Sequence, residues 1–426
     1  MVCVELFLAL VLTAAVSLRG AGRAIAVSAR VLGLALACPS WSAGRLGLLR
    51  LGYYTLRVTR PKEFAEDWVW IIDHTVQVGQ DKCVVILGIR LGDLPPVGQC
   101  VSHADVEPIE RVPVQQSNGD IVYQQLEQAL AKTGVPRAIV SDHGTDLKAG
   151  IAKFCQDHPE TSPIYDIKHK TAAVLKQELE RDPGWLTFTQ LANQTGRRVQ
   201  QTDLAALTPP NQKTQARYMN LDELVRWGHA MLALLDQPEA HVAQAWGSQP
   251  VHEKLGWLKD FRSQLAEWGE LFEIITTAES FVRQHGLYPN AHRKLESQLR
   301  GRAQTARTRR VRRELVAFVA AQETQAREGE RLLGSSEIIE SVLGSLKRLE
   351  RDQAKSGFTG LILGLGAMVA TTTQDIIQRA LETVPTKTVL AWCRETLGRS
   401  VQAKRREIFE RLDLAEQKQD PFLEGT

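Results

Sequence analysis

Three acidic residues stand where carboxylates could cooperate in metal-dependent chemistry. Asp73 follows the apolar run "WVWII", Asp142 follows the apolar run "AIVS", and Glu340 lies much later, in a helical stretch. Two neighbouring strand ends and an acid from a covering helix can bring three carboxylates together, although their charges repel one another. Hard cations offset that repulsion, so the pattern predicts a site for two Mg²⁺ or Mn²⁺ ions. Two such ions activate a hydroxyl and stabilise a leaving oxygen in phosphoryl transfer.

Each acid taken alone also has a structural explanation. Asp142 could cap the helix predicted in "GTDLKAGIAKFCQDH", and Asp73 could simply end its strand. Glu337 lies one turn before Glu340 on the same helix face and competes with it as the third acid. Glu340 is favoured because Lys347 follows two turns later on that face, where it could bind the same phosphate backbone. Gly344 is the corresponding residue after Glu337.

The elements that must hold these acids read as alternating strands and helices. Short apolar runs rich in Val and Ile predict buried strands over 68–73, 82–89 and 138–142. An edge strand is predicted in the proline-containing stretch 93–114, and a last strand in "PIYDIKH". Helical patterns follow several of these strands. The fold class is therefore α/β, with a mixed sheet covered by helices.

From Trp185 to Leu333 the strand pattern disappears, which predicts a large all-α insertion. An apolar stripe from Leu258 to Ile275, with Trp268 on it, indicates a long helix with one buried face. Trp227 and Trp257 lie beside basic residues, so their rings could stack on unpaired bases of DNA. Packing of both rings in the protein core is the favoured alternative.

The N-terminal region, 1–60, reads as two short helices separated by "ACPSW". Such a pair could be a helix-turn-helix DNA-binding domain, with Arg45 and Arg50 on its second helix. An exported or anchored segment at "FLALVLTAAVSL" is the alternative. It is disfavoured because no Lys or Arg precedes the run, whereas Arg19 and Arg23 follow it.

Charge and cysteine content narrow the class further. The net charge of +3 decides no partner, but basic residues cluster between Arg293 and Arg313. This cluster, and within it Arg309, Arg310, Arg312 and Arg313, is either a solvated helix face or a nucleic-acid surface. Six cysteines without a C-x-x-C pair favour a reducing compartment, so a cytoplasmic protein is expected.

Together these motifs resemble those of the DDE transposases of insertion-sequence elements. "SDHGTDL" resembles the turn around their second acid, and Glu340 with Lys347 resembles their glutamate–lysine signature. "YDIKHKTAAVLKQEL", with Asp166 and His169, resembles the strand and helix that follow the second acid. The resemblance covers roughly residues 68–353, but the Tyr and Arg that precede the glutamate in one subgroup are missing here.

The resemblance implies a ribonuclease H-like catalytic domain that cleaves DNA at the ends of a mobile element and transfers the strands to a target. It implies two Mg²⁺ or Mn²⁺ ions on Asp73, Asp142 and Glu340, double-stranded DNA as partner, a homodimer or higher assembly on DNA, and no membrane. A nuclease without strand transfer and a non-catalytic transposase-derived DNA-binding protein are the alternatives.

The domain organisation expected from this resemblance has four parts. A helical, DNA-binding domain spans 1–60, and the first part of the catalytic core spans 61–184. The all-α insertion covers 185–333, and the last part of the core with the C-terminal helices covers 334–426.

Overall fold

The computed structural model describes residues 1–59, 63–76, 82–114, 116–211, 221–246, 248–351, 359–370, 373–397 and 405–409. The chain divides into two compact units. The first unit combines Met1–Pro96, Cys100–Ile164 and Ser336–Thr426. The second consists of Val97–Gln99 and Tyr165–Ser335.

The strands are β1 (Trp68–Val76), β2 (Lys82–Arg90), β3 (Glu107–Val114), β4 (Ala138–Ser141) and β5 (Ser162–Tyr165). The helices, in chain order, are α1 (Val2–Leu12), α2 (Leu18–Val31), α3 (Trp41–Tyr53), α4 (Gly119–Thr133), α5 (Thr145–Asp157), α6 (Ile167–Leu179), α7 (Pro183–Val199), α8 (Asp222–Leu235), α9 (Glu239–Trp246), α10 (Ser248–Leu255), α11 (Arg262–His285), α12 (Ala291–Gln298), α13 (Ala306–Glu323), α14 (Glu337–Arg351), α15 (Gly364–Met368), α16 (Gln374–Thr383) and α17 (Thr386–Leu397).

Among the described residues the strands form one mixed, open sheet in the order β3-β2-β1-β4-β5. β1 and β2 pair antiparallel, as do β2 and β3, whereas β1 and β4 pair parallel. The predicted α/β class with a mixed sheet covered by helices is therefore confirmed. The strand predicted in "PIYDIKH" ends earlier than expected, because Asp166 caps α6 by accepting a hydrogen bond from the backbone amide of His169.

One face of the sheet is covered by α4 and α5. Trp68, Trp70 and Ile72 of β1 point to this face, where they pack with Leu126 of α4 and Phe154 of α5. Because side chains alternate along a strand, Val69, Ile71 and Asp73 belong to the other face. Val69 and Ile71 are fully buried, and α14 packs against β1.

The N-terminal helices share one core with the C-terminal ones. Phe7 of α1, Ile25 of α2 and Leu48 of α3 cluster with Leu363 and Val389 from the last part of the chain. The contact is close at Gly52, where a Cβ would lie 1.8 Å from the carbonyl oxygen of Leu363. Whereas the sequence analysis treats 1–60 as a separate domain, α1–α3 are built into the first unit. A π-helical turn at Tyr54–Val58 leads from α3 towards β1.

Among the described residues of the second unit, the strand pairing is limited to the last residue of β5 and one isolated bridge between Leu287 and Leu332, and the regular elements are helices. Its core includes the predicted apolar stripe, with Leu265 and Trp268 both buried. The unit begins at Tyr165, earlier than the predicted insertion, because α6 packs against α11 and belongs with it.

Within the part of the chain that the structure describes, no helix has both the length and the apolar composition needed to cross a bilayer.

Candidate active site

Asp73 and Asp142 lie at adjacent positions where the parallel pairing of β1 and β4 ends. In the parallel pair β1–β4, Ile72 is the register partner of Ser141. The next residue after each of these is an acid, Asp73 in one segment and Asp142 in the other. Asp73 does not end its strand as predicted. β1 continues to Val76 because it still pairs with β2 after its pairing with β4 has stopped. What ends at Asp73 is the parallel ladder, and this feature brings the two acids to adjacent positions.

Asp142 is held by the tight turn between β4 and α5. Its carboxylate oxygen Oδ1 accepts a hydrogen bond of 2.8 Å from the backbone amide of Gly144. His143 between them has a left-handed backbone, with φ of 57°, which few residues other than glycine adopt. The helix-capping explanation of Asp142 is therefore refined: the carboxylate closes the turn before α5, while Gly144 occupies the cap position.

Glu340 lies in the first turn of α14, the helix that packs against β1. Glu337 is also half-buried in that turn, and Lys347 is exposed further along. Gly344 is exposed too, with open space where a Cβ would stand. Among the described residues, Asp73, Asp142 and Glu340 do not form a set whose ligand atoms all lie within 4.8 Å of one another. The strand register thus aligns two of the predicted acids, and the third lies on a helix that packs against β1.

A polar cluster on the opposite face of the same sheet edge was missed by the sequence analysis. Asp146, in the first turn of α5, forms an ion pair of 2.8 Å with Lys82 and lies 3.7 Å from the Nδ1 atom of His74. The Ser117 hydroxyl lies 3.2 Å from the Nε2 atom of His74 and also hydrogen-bonds Asp146. Burial lowers the pKa of His74, against the raising effect of Asp146. The only sequence signal was proximity: His74 follows Asp73, and Asp146 follows Asp142 by one helical turn.

The arginines of α13 in the second unit divide into two groups. Arg307 points inwards and pairs with Glu178, Asp182 and Glu267 at 3.1, 2.8 and 3.3 Å. Arg310 is exposed but donates three hydrogen bonds to the Glu178 carboxylate.

The remaining predicted arginines of α13 have no ion pair among the described residues. Arg309 and Arg313 are exposed, and Arg312 is half-buried. The Nε of Arg309 bonds the Thr305 carbonyl of its own helix. The basic cluster is therefore partly structural, at Arg307 and Arg310, while Arg309 and Arg313 face solvent.

Arg50 has an internal structural role. Its guanidinium donates hydrogen bonds to the carbonyl oxygens of Val384 and Leu381 at the end of α16, and burial lowers its pKa. Arg45 is half-buried, and burial lowers its pKa as well. A recognition helix needs one face exposed to the major groove. Since α3 is packed by helices of its own unit, the prediction that Arg50 reads bases is not supported by its position.

Of the three tryptophans considered in the sequence, Trp227 and Trp268 are buried in the second unit and Trp257 is half-buried. Trp268 is buried, as predicted, and its indole nitrogen donates to Asp182. Trp227 is buried and donates to the Leu207 carbonyl, and Trp257 donates to Thr195 and packs edge-on against Phe261. The favoured core packing is therefore observed at Trp227, whereas Trp257 is half-buried and its stacking on unpaired bases stays a prediction.

The residues after the second acid form a further local motif, which lies in the second unit. Asp166 is fully buried, and its Oδ2 atom lies 2.8 Å from the Nδ1 atom of His169. The same carboxylate caps α6, so the pair fixes the first turn of that helix.

Comparison with known proteins adds no family to this description. The chain matches no family model and no curated protein.

Proposed function

We propose that the chain is a DDE-type transposase with a ribonuclease H-like catalytic unit, which cleaves DNA at the ends of a mobile element and transfers the strands to a target. The observation that carries the proposal is the register of β1 and β4, in which Asp73 and Asp142 follow directly paired residues. The helix packed on β1 supplies Glu340, so all three acids belong to one unit.

The donor chemistry of these residues fits a hard divalent cation. Asp142 accepts one backbone amide, and among the described residues no lysine or arginine forms an ion pair with it. Its carboxylate therefore retains acceptor capacity, as Mg²⁺ and Mn²⁺ require of an oxygen ligand. Asp73, Asp142 and Glu340 would hold the ions, which when bound supply activation of the attacking hydroxyl and stabilisation of the leaving oxygen.

The chain's own residues orient the carboxylates and hold the substrate. The Gly144 amide fixes the rotation of the Asp142 carboxylate, and the paired strand fixes the backbone of Asp73. Lys347 is exposed two turns beyond Glu340, where its ammonium group can neutralise a phosphate of bound DNA. The open space beside Gly344 allows a backbone to approach α14 between them.

The direct test is an assay of DNA nicking and joining with Mg²⁺, using the DNA that flanks the coding sequence of this chain. Asp73→Asn, Asp142→Asn and Glu340→Gln should each abolish cleavage while duplex binding stays close to wild type. Removing one carboxylate weakens the ion site but leaves the basic surface intact.

Glu337→Gln is the matched control, since Glu337 shares the turn and the half-buried setting of Glu340. It should cleave DNA nearly as well as wild type. An equal loss of cleavage in Glu337→Gln and Glu340→Gln would show that Glu340 is not the distinct third acid proposed here. Products that are nicked but never joined would favour a nuclease. Binding without cleavage by the wild-type chain would favour a non-catalytic DNA-binding protein.

A further inference from the structure

Four chain segments meet at the carboxylate of Asp146. Lys82 begins β2, Ser117 precedes α4, His74 lies in β1 and Asp146 itself lies in α5. The distances are 2.8 Å to the Lys82 Nζ and 3.7 Å to the His74 Nδ1, and Ser117 bonds both His74 and Asp146. The Asp146 and His74 side chains are 15% and 9% exposed, so the cluster is largely shielded from water.

The geometry of the sheet puts this cluster directly behind the proposed ion ligands. His74 is the register partner of Val84, and Lys82 is that of Val76, so His74 and Lys82 share the sheet face that α4 and α5 cover. His74 is bonded covalently to Asp73, and Asp146 follows Asp142 across the tight turn. Contact between His74 and Asp146 therefore ties the segment carrying one acid to the segment carrying the other.

We propose that Asp146 is a positioning residue that fixes the separation of Asp73 and Asp142 by anchoring α5 to β1 and β2 through Lys82, Ser117 and His74. This inference rests on the proposed function, since it concerns how that ion site is built. A rigid support matters because two like charges at adjacent strand positions repel each other, and the backbone must hold them at a spacing that cations can bridge.

The charge of Asp146 is present under all ordinary conditions. Burial opposes its ionisation, but hydrogen bonds from Lys82 and Ser117 lower its pKa to about 2. Asp146→Asn therefore keeps the shape of the side chain and removes the anion that holds Lys82. Asp157→Asn is the matched control, because Asp157 ends the same helix, is exposed, and bonds Tyr123 away from the acids.

The test measures Mn²⁺ binding to the full-length protein by electron paramagnetic resonance, with the Mg²⁺ dependence of DNA cleavage as a second readout. Asp146→Asn should weaken Mn²⁺ binding by about 10- to 100-fold, the usual cost of removing a residue that orients metal ligands. The half-saturating Mg²⁺ concentration should rise in parallel, with DNA binding unchanged. Asp157→Asn should match wild type in every measurement.

Wild-type Mn²⁺ affinity in Asp146→Asn would overturn the inference. It would leave the proposed function intact if Asp142→Asn loses Mn²⁺ binding, whereas absence of binding by the wild-type chain would defeat the proposed function itself. If Asp146→Asn does not fold, Lys82→Met and Ser117→Ala decide. Each removes one hydrogen bond to Asp146 and should weaken Mn²⁺ binding by about three- to tenfold; no loss in either variant would overturn the inference.

Discussion

Carboxylates in the two units have opposite electrostatic settings. In the second unit, Glu178, Asp182 and Glu267 surround Arg307, which is only 17% exposed and bonds all three. In the first unit, Asp142 accepts a hydrogen bond from a backbone amide and forms no ion pair with a lysine or arginine among the described residues. The acids of the second unit have their own cation, whereas Asp142 has no such ion pair among the described residues.

The difference separates acids that hold a fold together from acids that can bind a ligand. A carboxylate whose hydrogen-bonding capacity is filled by an internal guanidinium contributes to stability and is unavailable for chemistry. A carboxylate held only by its turn keeps the capacity to bind a cation. Mutations should therefore affect stability in the second unit and cation-dependent properties in the first.

The largest effect on stability is expected from Arg307→Met. Removing the guanidinium leaves three acids without their shared cation, and breaking a buried ion pair on one side costs about 3–5 kcal/mol. The free energy of unfolding of the second unit, followed by tryptophan fluorescence in urea, measures it. Arg310→Met is the control. It removes a bond to the same Glu178, but Arg310 is 56% exposed, so the loss should stay below about 1 kcal/mol. Equal losses of unfolding free energy in the two variants would show that Arg307 and Arg310 contribute alike to stability.

Lowering the pH should reduce the stability of the second unit by less than Arg307→Met does. Burial favours the neutral form of Asp182, but the hydrogen bonds from Arg307, the Trp185 amide and Trp268 prevail and lower its pKa. Because the pKa in the folded state is below the unfolded value of about 3.9, the stabilisation is complete above that pH and is lost as the pH falls through the folded pKa. Urea midpoints measured between pH 7 and pH 2.5 should show the decline. Asp182→Asn should flatten this dependence, and an unchanged pH profile in that variant would contradict the assignment.

The proposed DNA contacts of α13 give a more modest effect. Replacing Arg309 and Arg313 with glutamine should flatten the dependence of log affinity on log salt by up to about 2 units, at about 0.9 per phosphate contact. Filter binding over a salt series, with specific and random duplexes, measures the slope. Arg310→Gln should leave the slope unchanged because its guanidinium is bound to Glu178. If the double variant keeps the wild-type slope, these two arginines are an ordinary solvated surface.

The smallest effect on stability is expected from Asp142→Asn, the variant that should abolish cleavage. The asparagine oxygen can still accept the Gly144 amide, so without divalent ions the free energy of unfolding should stay within about 1 kcal/mol of wild type. Urea denaturation of both proteins in chelator is the measurement. A large loss would make Asp142 a structural residue, like the acids around Arg307.

Much of the sheet was predictable from sequence, because its strands are short apolar runs bounded by turns. The predicted strands over 68–73, 82–89 and 138–142 correspond to β1, β2 and β4, and the predicted edge strand corresponds to β3. The length of β1 was not predictable. Whether Asp73 ends a strand depends on its pairing with β2, which composition does not encode.

The partners of charged side chains were the least predictable feature. In the sequence, Arg307 and Arg309 are neighbours in one basic run, and only the folded helix turns one inwards and leaves the other exposed. Similarly, nothing in "WSAGRLGLLRLGYY" shows that Arg50 bonds carbonyls more than three hundred residues away. Asp146 was overlooked because its importance comes from Lys82 and Ser117, both remote in the chain.

The core shared by the first and last helices means that the first unit cannot be completed until late parts of the chain have been made. Phe7, Leu48 and Leu51 leave the ribosome early, but the apolar surfaces that cover them, at Leu363 and Val389, are made close to the end. During translation these early helices must wait, exposed, until the final helices emerge. A chain that stops before Val389 therefore lacks part of the core of its first unit.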